Sequence, residues 1–293
     1  MPGKRHPILM VVILLGITVL LLGGVMALVL SFLDPTTAFS LGDKIGVIPI
    51  EGPITDSEPV VSQLVKYKKD KQIRAIILRV DSPGGGVAPS QEIYREVRKT
   101  IETKRVIVSM GNLAASGGYY IAAAADRIVA NPGTLTGSIG VIMEFVHLED
   151  LLGKIGVNLE VLKSGEFKDI GSPHRKMTER EKELLRDLIS EIQKQFVEAV
   201  AAGRNLDVDK VRELADGRIL SGSRAKDLGL VDALGNFQDA VELAKKLAGI
   251  EGEATLVFPK KPRLPLWELI FQDAGEAFYR ALIKSLTNRM EYR

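Results

Sequence analysis

The chain has 293 residues, a formal net charge of +2 and 46% hydrophobic residues. The near-neutral charge gives no indication of a nucleic-acid partner, and the absence of cysteine excludes a thiol nucleophile, disulfide bonds and thiolate metal ligands. The three histidines, His6, His147 and His174, do not have the spacing of metal ligands, so no metal and no other cofactor is predicted.

The first predicted element is an apolar stretch from Ile8 to Leu33 that contains no charged residue. As a helix it would be roughly 39 Å long, which exceeds the ~30 Å hydrocarbon core of a bilayer. Basic residues precede the stretch and Asp34 follows it, so the positive-inside rule predicts a single-pass protein of the cell membrane with a cytoplasmic N-terminus. The rest of the chain after Asp34 would then be extracytoplasmic. A cleaved signal peptide is the alternative, although its apolar stretch normally has only ~7–15 residues.

Four segments follow from this pattern. Residues 1–33 form a short cytoplasmic stub and a transmembrane anchor, and residues 34–43 form a linker. Residues 44–259 are expected to form the folded domain. Residues 260–293 combine a basic, proline-rich linker with an amphipathic helix, which either packs on protein, its own or a neighbouring protomer, or contacts the membrane surface.

Within the folded domain, short apolar runs alternate with amphipathic segments. Strands are predicted at 44–50, 75–80, 106–110, 127–130, 157–162 and 254–258, and helices at 57–69, 89–103, 178–202, 208–214, 223–228 and 236–248. This alternation is typical of an α/β domain with a largely parallel sheet.

Ser116 is the candidate nucleophile. It lies where the strand at 106–110 leads into an alanine-rich helical run. A serine in such a turn presents its hydroxyl at a helix N-terminus, where unpaired N–H groups favour a negative oxygen. Gly117 and Gly118 would let a substrate backbone approach closely. The alternative is that Ser116 only caps the helix.

A serine hydroxyl needs a base, and the residues alone do not select one. His174 lies in a polar stretch that favours a solvated side chain, and His147 lies next to Leu148-Glu-Asp150, where a helix is expected to begin. Lys168 lies in an irregular segment beside apolar residues and could turn inward, although a solvated lysine is the default interpretation. Two glycine runs, Gly84–Gly86 and Gly117–Gly118, could donate N–H groups to an oxyanion, or could be ordinary loops.

Four motifs occur in the order found in one known family. They are Asp81-Ser-Pro-Gly-Gly-Gly86, Asn112-Leu-Ala-Ala-Ser-Gly-Gly-Tyr-Tyr120, Gly133-Thr-Leu-Thr-Gly-Ser-Ile-Gly-Val141 and Lys163-Ser-Gly-Glu-Phe-Lys-Asp169. Together they resemble the signal peptide peptidase A family of serine peptidases, family S49, in its short, single-repeat form. The resemblance covers roughly residues 44–247, and the predicted anchor is also consistent with it.

The resemblance implies a role for each matching residue. Ser116 corresponds to the nucleophile, Lys168 to the general base, and Ser138 to the serine that orients the lysine. The backbone N–H of Gly117 would form the oxyanion hole together with one from the Gly84–Gly85 turn.

The resemblance also implies a fold and an assembly. The fold would be of the Clp-protease/crotonase type, built from repeated ββα units and preceded by one N-terminal transmembrane helix. The family forms homo-oligomeric rings in which neighbouring protomers share site residues. Ser116 and Lys168 are therefore expected to pair between protomers or, as the alternative, within one protomer.

The sequence therefore predicts a serine endopeptidase that is anchored in the bilayer through residues 8–33 and has a Ser-Lys dyad. Its expected substrates are membrane-associated hydrophobic peptides such as remnant signal peptides. The alternatives are an acyl-CoA enzyme on the same fold and a non-enzymatic membrane scaffold that binds a partner through its C-terminal helix.

Overall fold

The computed structural model describes residues 7–32 and 42–259, and within the first range it describes the side chains of residues 14–26. The strands are β1 (Lys44–Glu51), β2 (Ile73–Ser82), β3 (Arg105–Ala115), β4 (Arg127–Ala130), β5 (Leu135–Gly137), β6 (Ile219–Ser221), β7 (Ala233–Leu234) and β8 (Thr255–Val257). The helices are α1 (Pro7–Phe32), α2 (Glu58–Lys69), α3 (Val87–Ile101), α4 (Gly117–Ala123), α5 (Glu149–Lys154), α6 (Glu179–Arg204), α7 (Val208–Leu214), α8 (Gly222–Asp227) and α9 (Phe237–Ala248).

The strands form one sheet in the order β6-β5-β3-β2-β1-β8; β4 also pairs with β3, and β7 pairs with β4. All of the pairs are parallel except β5 with β6. The first part of β3 pairs with β4 and its last three residues pair with β5. The sheet therefore divides along β3, which ends at Ala115, directly before Ser116.

Helices cover both faces of this sheet, and apolar side chains fill the space between them. On one face the core includes Leu64 of α2, Ile93 of α3 and Tyr119 of α4. On the other face, α9 packs through Ala240 and Ala244 against β1, β2 and β3. Because both faces are buried, β2 is apolar over consecutive residues and does not alternate, which is typical of parallel sheets.

The predicted α/β architecture is confirmed. From β1 to β4, one strand alternates with one helix. The expected ββα repeat would have two strands before each helix, so this part of the chain differs from the prediction. The helix at residues 178–202 is also confirmed, and Thr178 and Glu181 form the capping box that the sequence indicates.

The predicted strand at residues 157–162 is wrong. These residues are exposed and make no sheet pairing with the described part of the chain. A strand requires a partner edge for its N–H and C=O groups, and the described sheet offers none at this position. The short strands β5, β6 and β7 are not predicted, because two or three residues carry too little pattern.

Helix α1 closely follows the predicted apolar stretch at residues 8–33. Among the residues whose side chains are described, no helix was found that is long and apolar enough to span a membrane. The predicted amphipathic helix within residues 260–293 lies outside the described residues.

Candidate active site

The turn between β3 and α4 holds Ser116 in an unusual backbone conformation, with φ 51° and ψ −122°. Such a conformation costs an L-residue about 1–3 kcal/mol and persists only where the surrounding structure enforces it. Here the Ser116 N–H donates to the Gly137 carbonyl at 2.9 Å, and the Ser116 carbonyl accepts from the Tyr120 N–H at 2.8 Å. A strained turn between a strand and a helix is the arrangement that exposes a nucleophilic serine hydroxyl.

The capping alternative for Ser116 is wrong. The Ser116 side chain makes no hydrogen bond to the first turn of α4 in the described structure. At the start of α8, by contrast, the Ser221 hydroxyl accepts from the Arg224 N–H and caps the helix. The Ser116 hydroxyl is therefore not engaged by its own helix.

The glycine turn that follows β2 lies directly against Ser116. A β-carbon on Gly84 would lie 2.6 Å from the Gly117 nitrogen and 2.8 Å from the Ser116 β-carbon. Gly84 also has φ +98°, a region that L side chains rarely adopt. Only glycine therefore lets the two predicted oxyanion segments approach this closely.

The backbone hydrogen bonds of this turn distinguish its glycines. Gly84 N–H donates to the Ser82 hydroxyl at 3.1 Å, and Gly86 N–H donates to the Ile54 carbonyl at 2.8 Å. Within the described residues, no acceptor is found for the N–H of Gly85 or of Gly117. Of the two glycines that the sequence leaves open, Gly85 is therefore the one whose N–H has no acceptor within the described residues.

The close packing at Gly84 leads to a prediction. Gly84→Ala should destabilise the fold by about 2 kcal/mol or more and lower kcat at least about 10-fold, because the methyl group would collide with the Gly117 backbone. Urea unfolding and peptide hydrolysis measure the two effects. Gly133→Ala is the control, since no atom lies within 4 Å of the added carbon, and it should change stability by less than about 0.5 kcal/mol. Equal stability of the two variants would contradict this packing.

A cleft with about 530 Å³ of empty space opens beside Ser116. Gly85 and Gly117 line it together with Ser116, so the two N–H groups without acceptors border the same space as the hydroxyl. The rest of its wall is mostly apolar and is formed by Val87, Ser90, Gln91, Tyr120, Gly140, Val141, Ile142, Ile192 and Phe196. The Tyr120 and Phe196 rings pack edge to face at 4.9 Å, which gives the wall a rigid aromatic part.

Ser138 lies next to Ser116 across the sheet. Parallel pairing aligns Ala115 of β3 with Gly137 of β5, and Ser116 and Ser138 each follow directly on these partners. Ser138 also has a left-handed φ of 49°, and its N–H donates to the Arg218 carbonyl at 2.8 Å. Because neighbouring strands are ~4.8 Å apart, the structure brings these two predicted site residues together.

Lys168 is not part of the cleft within a single chain. It is exposed, its N–H donates to the Gly165 carbonyl at 3.2 Å, and it is absent from the described lining of the Ser116 cleft. His174 does not line this cleft either, and its Nδ1 lies 2.7 Å from the Ser172 hydroxyl. His147 is exposed. The structure therefore joins Ser116, Ser138 and the glycine turns, but not Lys168.

Two protein-family models match this chain. The model of peptidase family S49 matches residues 98–251, which is more than half of the chain, and the Clp protease model matches residues 40–133. The chain belongs to peptidase family S49.

Several curated proteins are similar to this S49 peptidase. A putative protease of Synechocystis is 47% identical over 209 residues, which cover 71% of this chain and 76% of the relative. A putative protease of Methanocaldococcus jannaschii is 40% identical over 195 residues, 67% of this chain and 63% of the relative. A putative signal peptide peptidase SppA of Enterococcus faecium is 43% identical over 187 residues, 64% of this chain and 54% of the relative. The chain thus spans less than two thirds of the second and third relatives.

In this S49 peptidase an ion-pair cluster holds the loop that carries Lys168. Arg175 is bidentate to Asp169, with Nε–Oδ2 and Nη2–Oδ1 distances of 2.8 and 2.7 Å. Arg175 Nη1 also donates to Glu181 Oε2 at 2.8 Å, and Lys163 Nζ lies 2.7 Å from Asp169 Oδ1. Glu181 is only 1% exposed at the start of α6. The cluster therefore ties the residue after Lys168 to a buried helix terminus.

These contacts shift the acidity of both carboxyl groups. Hydrogen bonds from Arg175, supported by the Thr178 N–H, lower the pKa of Glu181 from 4.5 to about 2. Hydrogen bonds from Arg175 and then Lys163 hold the pKa of Asp169 well below its usual range. Thr178 and Glu181 have the spacing of a capping box in the sequence, but nothing in the spacing pairs Arg175 with Asp169, so Arg175 was not predicted.

The depressed pKa of Glu181 predicts how stability changes with pH. The folded pKa lies below the unfolded value, so this stabilisation is fully present above about pH 4.5 and is lost as the pH falls towards 2. Glu181→Gln should lower stability at neutral pH and flatten its pH dependence in this window, as measured by urea unfolding. Glu183→Gln, an exposed neighbour on the same helix, is the control and should keep the wild-type profile. The same slope in both variants would contradict the assignment.

Proposed function

We propose that this S49 peptidase is a serine endopeptidase in which Ser116 is the nucleophile and Lys168 is the general base. The observation that carries the proposal is the Ser116 turn itself. A serine hydroxyl without a helix-capping bond lies beside a glycine turn, and Gly85 and Gly117 have N–H groups without acceptors on the same cleft. Acyl transfer requires this pairing of a nucleophile with donors for the oxyanion.

The chemistry follows from these positions. The neutral Lys168 amine accepts the Ser116 proton as the hydroxyl oxygen attacks the scissile carbonyl. The N–H groups of Gly85 and Gly117 stabilise the tetrahedral oxyanion. The protonated lysine then gives its proton to the leaving amine, and a water activated by the same lysine releases the acyl group from Ser116. Ser138, which is adjacent to Ser116 across the sheet, orients the lysine amine.

Lys168 reaches Ser116 from a neighbouring subunit in this proposal. Exposure of Lys168 and its absence from the cleft of its own chain support this arrangement. A lysine amine accepts a proton near neutral pH only where its surroundings disfavour the ammonium form by about 4 kcal/mol. An exposed side chain lacks such surroundings, and a second subunit that covers it would provide them.

The segment before Lys168 supports assembly with further copies of the chain. Large apolar side chains are exposed along it, including Ile142 at 81% and Leu162 at 92%, together with Val146, Leu151, Ile155 and Leu159. A monomer rarely exposes so many apolar side chains in one short segment. A homo-oligomeric ring would bury them and would bring Lys168 to a neighbouring cleft.

The proposed substrates are hydrophobic peptides associated with the membrane, such as remnant signal peptides. The mostly apolar wall of the cleft, with its Tyr120 and Phe196 rings, favours an apolar side chain next to the scissile bond. The similar protein of Enterococcus faecium is named a putative signal peptide peptidase, which supports the same substrate class.

Anchoring in the membrane is also part of the proposal. Helix α1 contains no charged residue over 26 residues, and at ~1.5 Å per residue it is about 39 Å long. Lys4 and Arg5 precede it, which favours a cytoplasmic N-terminus and an extracytoplasmic catalytic domain.

Covalent labelling tests the proposed nucleophile. The assembled full-length protein is treated with a fluorophosphonate probe, and mass spectrometry locates the adduct. We expect modification of Ser116 alone, with no adduct in Ser116→Ala and none on the exposed Ser62 of α2. An assembled sample with no adduct on Ser116 would contradict the proposal and favour an acyl-CoA enzyme or a non-enzymatic scaffold.

A further inference from the structure

Basic residues are concentrated where β2 and β3 begin. Residues 66–74 and 95–105, called the basic edge below, contain ten Lys or Arg and three Asp or Glu, a net charge of +7. The entire chain has a net charge of only +2. The basic edge therefore carries much more positive charge than the rest of the protein.

The two parts of the basic edge are adjacent in the fold. Lys68 Nζ donates to the Lys99 carbonyl at 2.8 Å, and Lys104 Nζ donates to the Tyr67 carbonyl at 2.6 Å. These bonds satisfy carbonyls near the C-terminal ends of α2 and α3, where cations are favourable, so they explain two of the cations by helix stability alone.

Three lysines of the basic edge have no such explanation. Lys66, Lys69 and Lys71 are exposed, and none of them makes an ion pair with any residue in 42–259. By contrast, Arg74 pairs with Asp43 and Arg105 pairs with Asp126. A cluster of exposed, unpaired lysines favours an anionic partner over a role in folding.

The position of the basic edge relative to α1 indicates which anionic partner it faces. Parallel pairing aligns Lys44, the first residue of β1, with Ile73 at the start of β2, so the chain enters the domain beside the basic edge. Residues 33–43 separate α1 from Lys44, a length of chain that reaches at most about 40 Å. The basic edge is thus the part of the domain attached next to the proposed membrane anchor.

We propose that the basic edge docks on anionic lipid headgroups of the bilayer that holds α1. The inference rests on the membrane anchor proposed above. Each basic side chain close to an anionic bilayer adds about a fivefold factor to binding, so Lys66, Lys69 and Lys71 together are sufficient to orient a tethered domain.

Docking has a consequence for the active site. Ser116 follows the last residue of β3, whereas Arg105 of the basic edge is the first. At ~3.3 Å per residue, the 11 residues of β3 that lead from Arg105 to Ser116 span roughly 36 Å. The nucleophile of the docked domain therefore lies far from the headgroups, so the substrates are peptide segments that have already left the bilayer.

Single-cysteine reporters test the orientation, because the chain contains no native cysteine. Thr103→Cys places a fluorophore on the basic edge. Glu51→Cys places one at the last residue of β1, at the end of the strand that faces away from the basic edge. Both positions are exposed. The full-length protein is reconstituted into phosphatidylcholine vesicles with or without phosphatidylglycerol, and a headgroup spin label quenches nearby fluorophores. With phosphatidylglycerol present, we expect at least a severalfold stronger quenching at position 103 than at position 51, and we expect high salt to remove the difference.

Matched charge variants distinguish docking through the basic edge from a general effect of the protein's net charge. Lys66→Gln, Lys69→Gln and Lys71→Gln combined should lower the docked fraction by about 10- to 100-fold. Lys194→Gln, Lys210→Gln and Lys226→Gln combined remove the same charge from exposed positions elsewhere and should leave docking intact. Anchored protein with equal quenching at both reporters would overturn the docking proposal alone. If the protein fails to float with either type of vesicle, the proposed membrane anchor is wrong, and the docking proposal is wrong with it.

Discussion

Ser116→Ala is expected to lower kcat for hydrolysis of an unstructured hydrophobic peptide by roughly 10⁴-fold or more, because no other group can form the acyl intermediate. The fold should be unaffected. The Ser116 side chain makes no hydrogen bond to α4, and the backbone bonds to Gly137 and Tyr120 remain available to alanine. Steady-state kinetics measure the loss, and circular dichroism and urea unfolding check that the variant is folded.

Ser62→Ala is the matched control for this variant. Ser62 is an exposed serine on α2, and the only described hydrogen bond of its hydroxyl is a long one, 3.3 Å, to the Pro59 carbonyl. It should retain wild-type kcat and KM. Substantial activity in a folded Ser116→Ala protein would remove Ser116 as the nucleophile and would leave the cleft beside it without a catalytic role.

Mixing two inactive variants is expected to restore activity. Ser116→Ala lacks the nucleophile and Lys168→Ala lacks the base, so each should be inactive as a pure assembly. If each site combines Ser116 of one subunit with Lys168 of the next, random reassembly of equal amounts leaves both residues intact at about one quarter of the sites. Subunits are dissociated, mixed and reassembled, and activity per site is compared with the wild type.

Two controls test whether recovered activity comes from sites shared between subunits. Ser116→Ala mixed with the double variant Ser116→Ala/Lys168→Ala should remain inactive, because no subunit supplies a nucleophile. Lys176→Ala removes another exposed lysine from the loop after Lys168 and should be active without mixing. If native mass spectrometry shows mixed oligomers and activity still does not return, the dyad forms within one chain and the proposal of shared sites is wrong.

The structure confirms the predicted course of the backbone around Ser116. A buried strand, a serine and two glycines are consecutive residues, and their pattern predicted the turn that β3, Ser116 and α4 form. The same holds for the helix that begins after Thr178, whose capping box is contained within four residues. Such features depend on backbone preferences and hydrogen bonds over one or two turns, so a sequence pattern is sufficient to identify them.

Features that depend on distant partners were predicted less well. The strand expected at residues 157–162 is absent because an apolar run becomes a strand only when another edge pairs with it. Arg175 was missed because its contacts with Asp169 and Glu181 exist only once the loop folds onto α6. The choice between Gly84 and Gly85 required knowing that the Gly84 N–H is already bonded to Ser82.

The sequence by itself determined the α/β class, the turn at Ser116 and the membership in a peptidase family, because the pattern of each element and each motif is contained within a short stretch of the chain. Only the tertiary structure decided that Ser138 and Gly85 lie beside Ser116 and that Lys168 does not enter the cleft of its own chain. The physical reason is that a catalytic site forms between side chains far apart in sequence, and their distances are set by sheet register and loop packing.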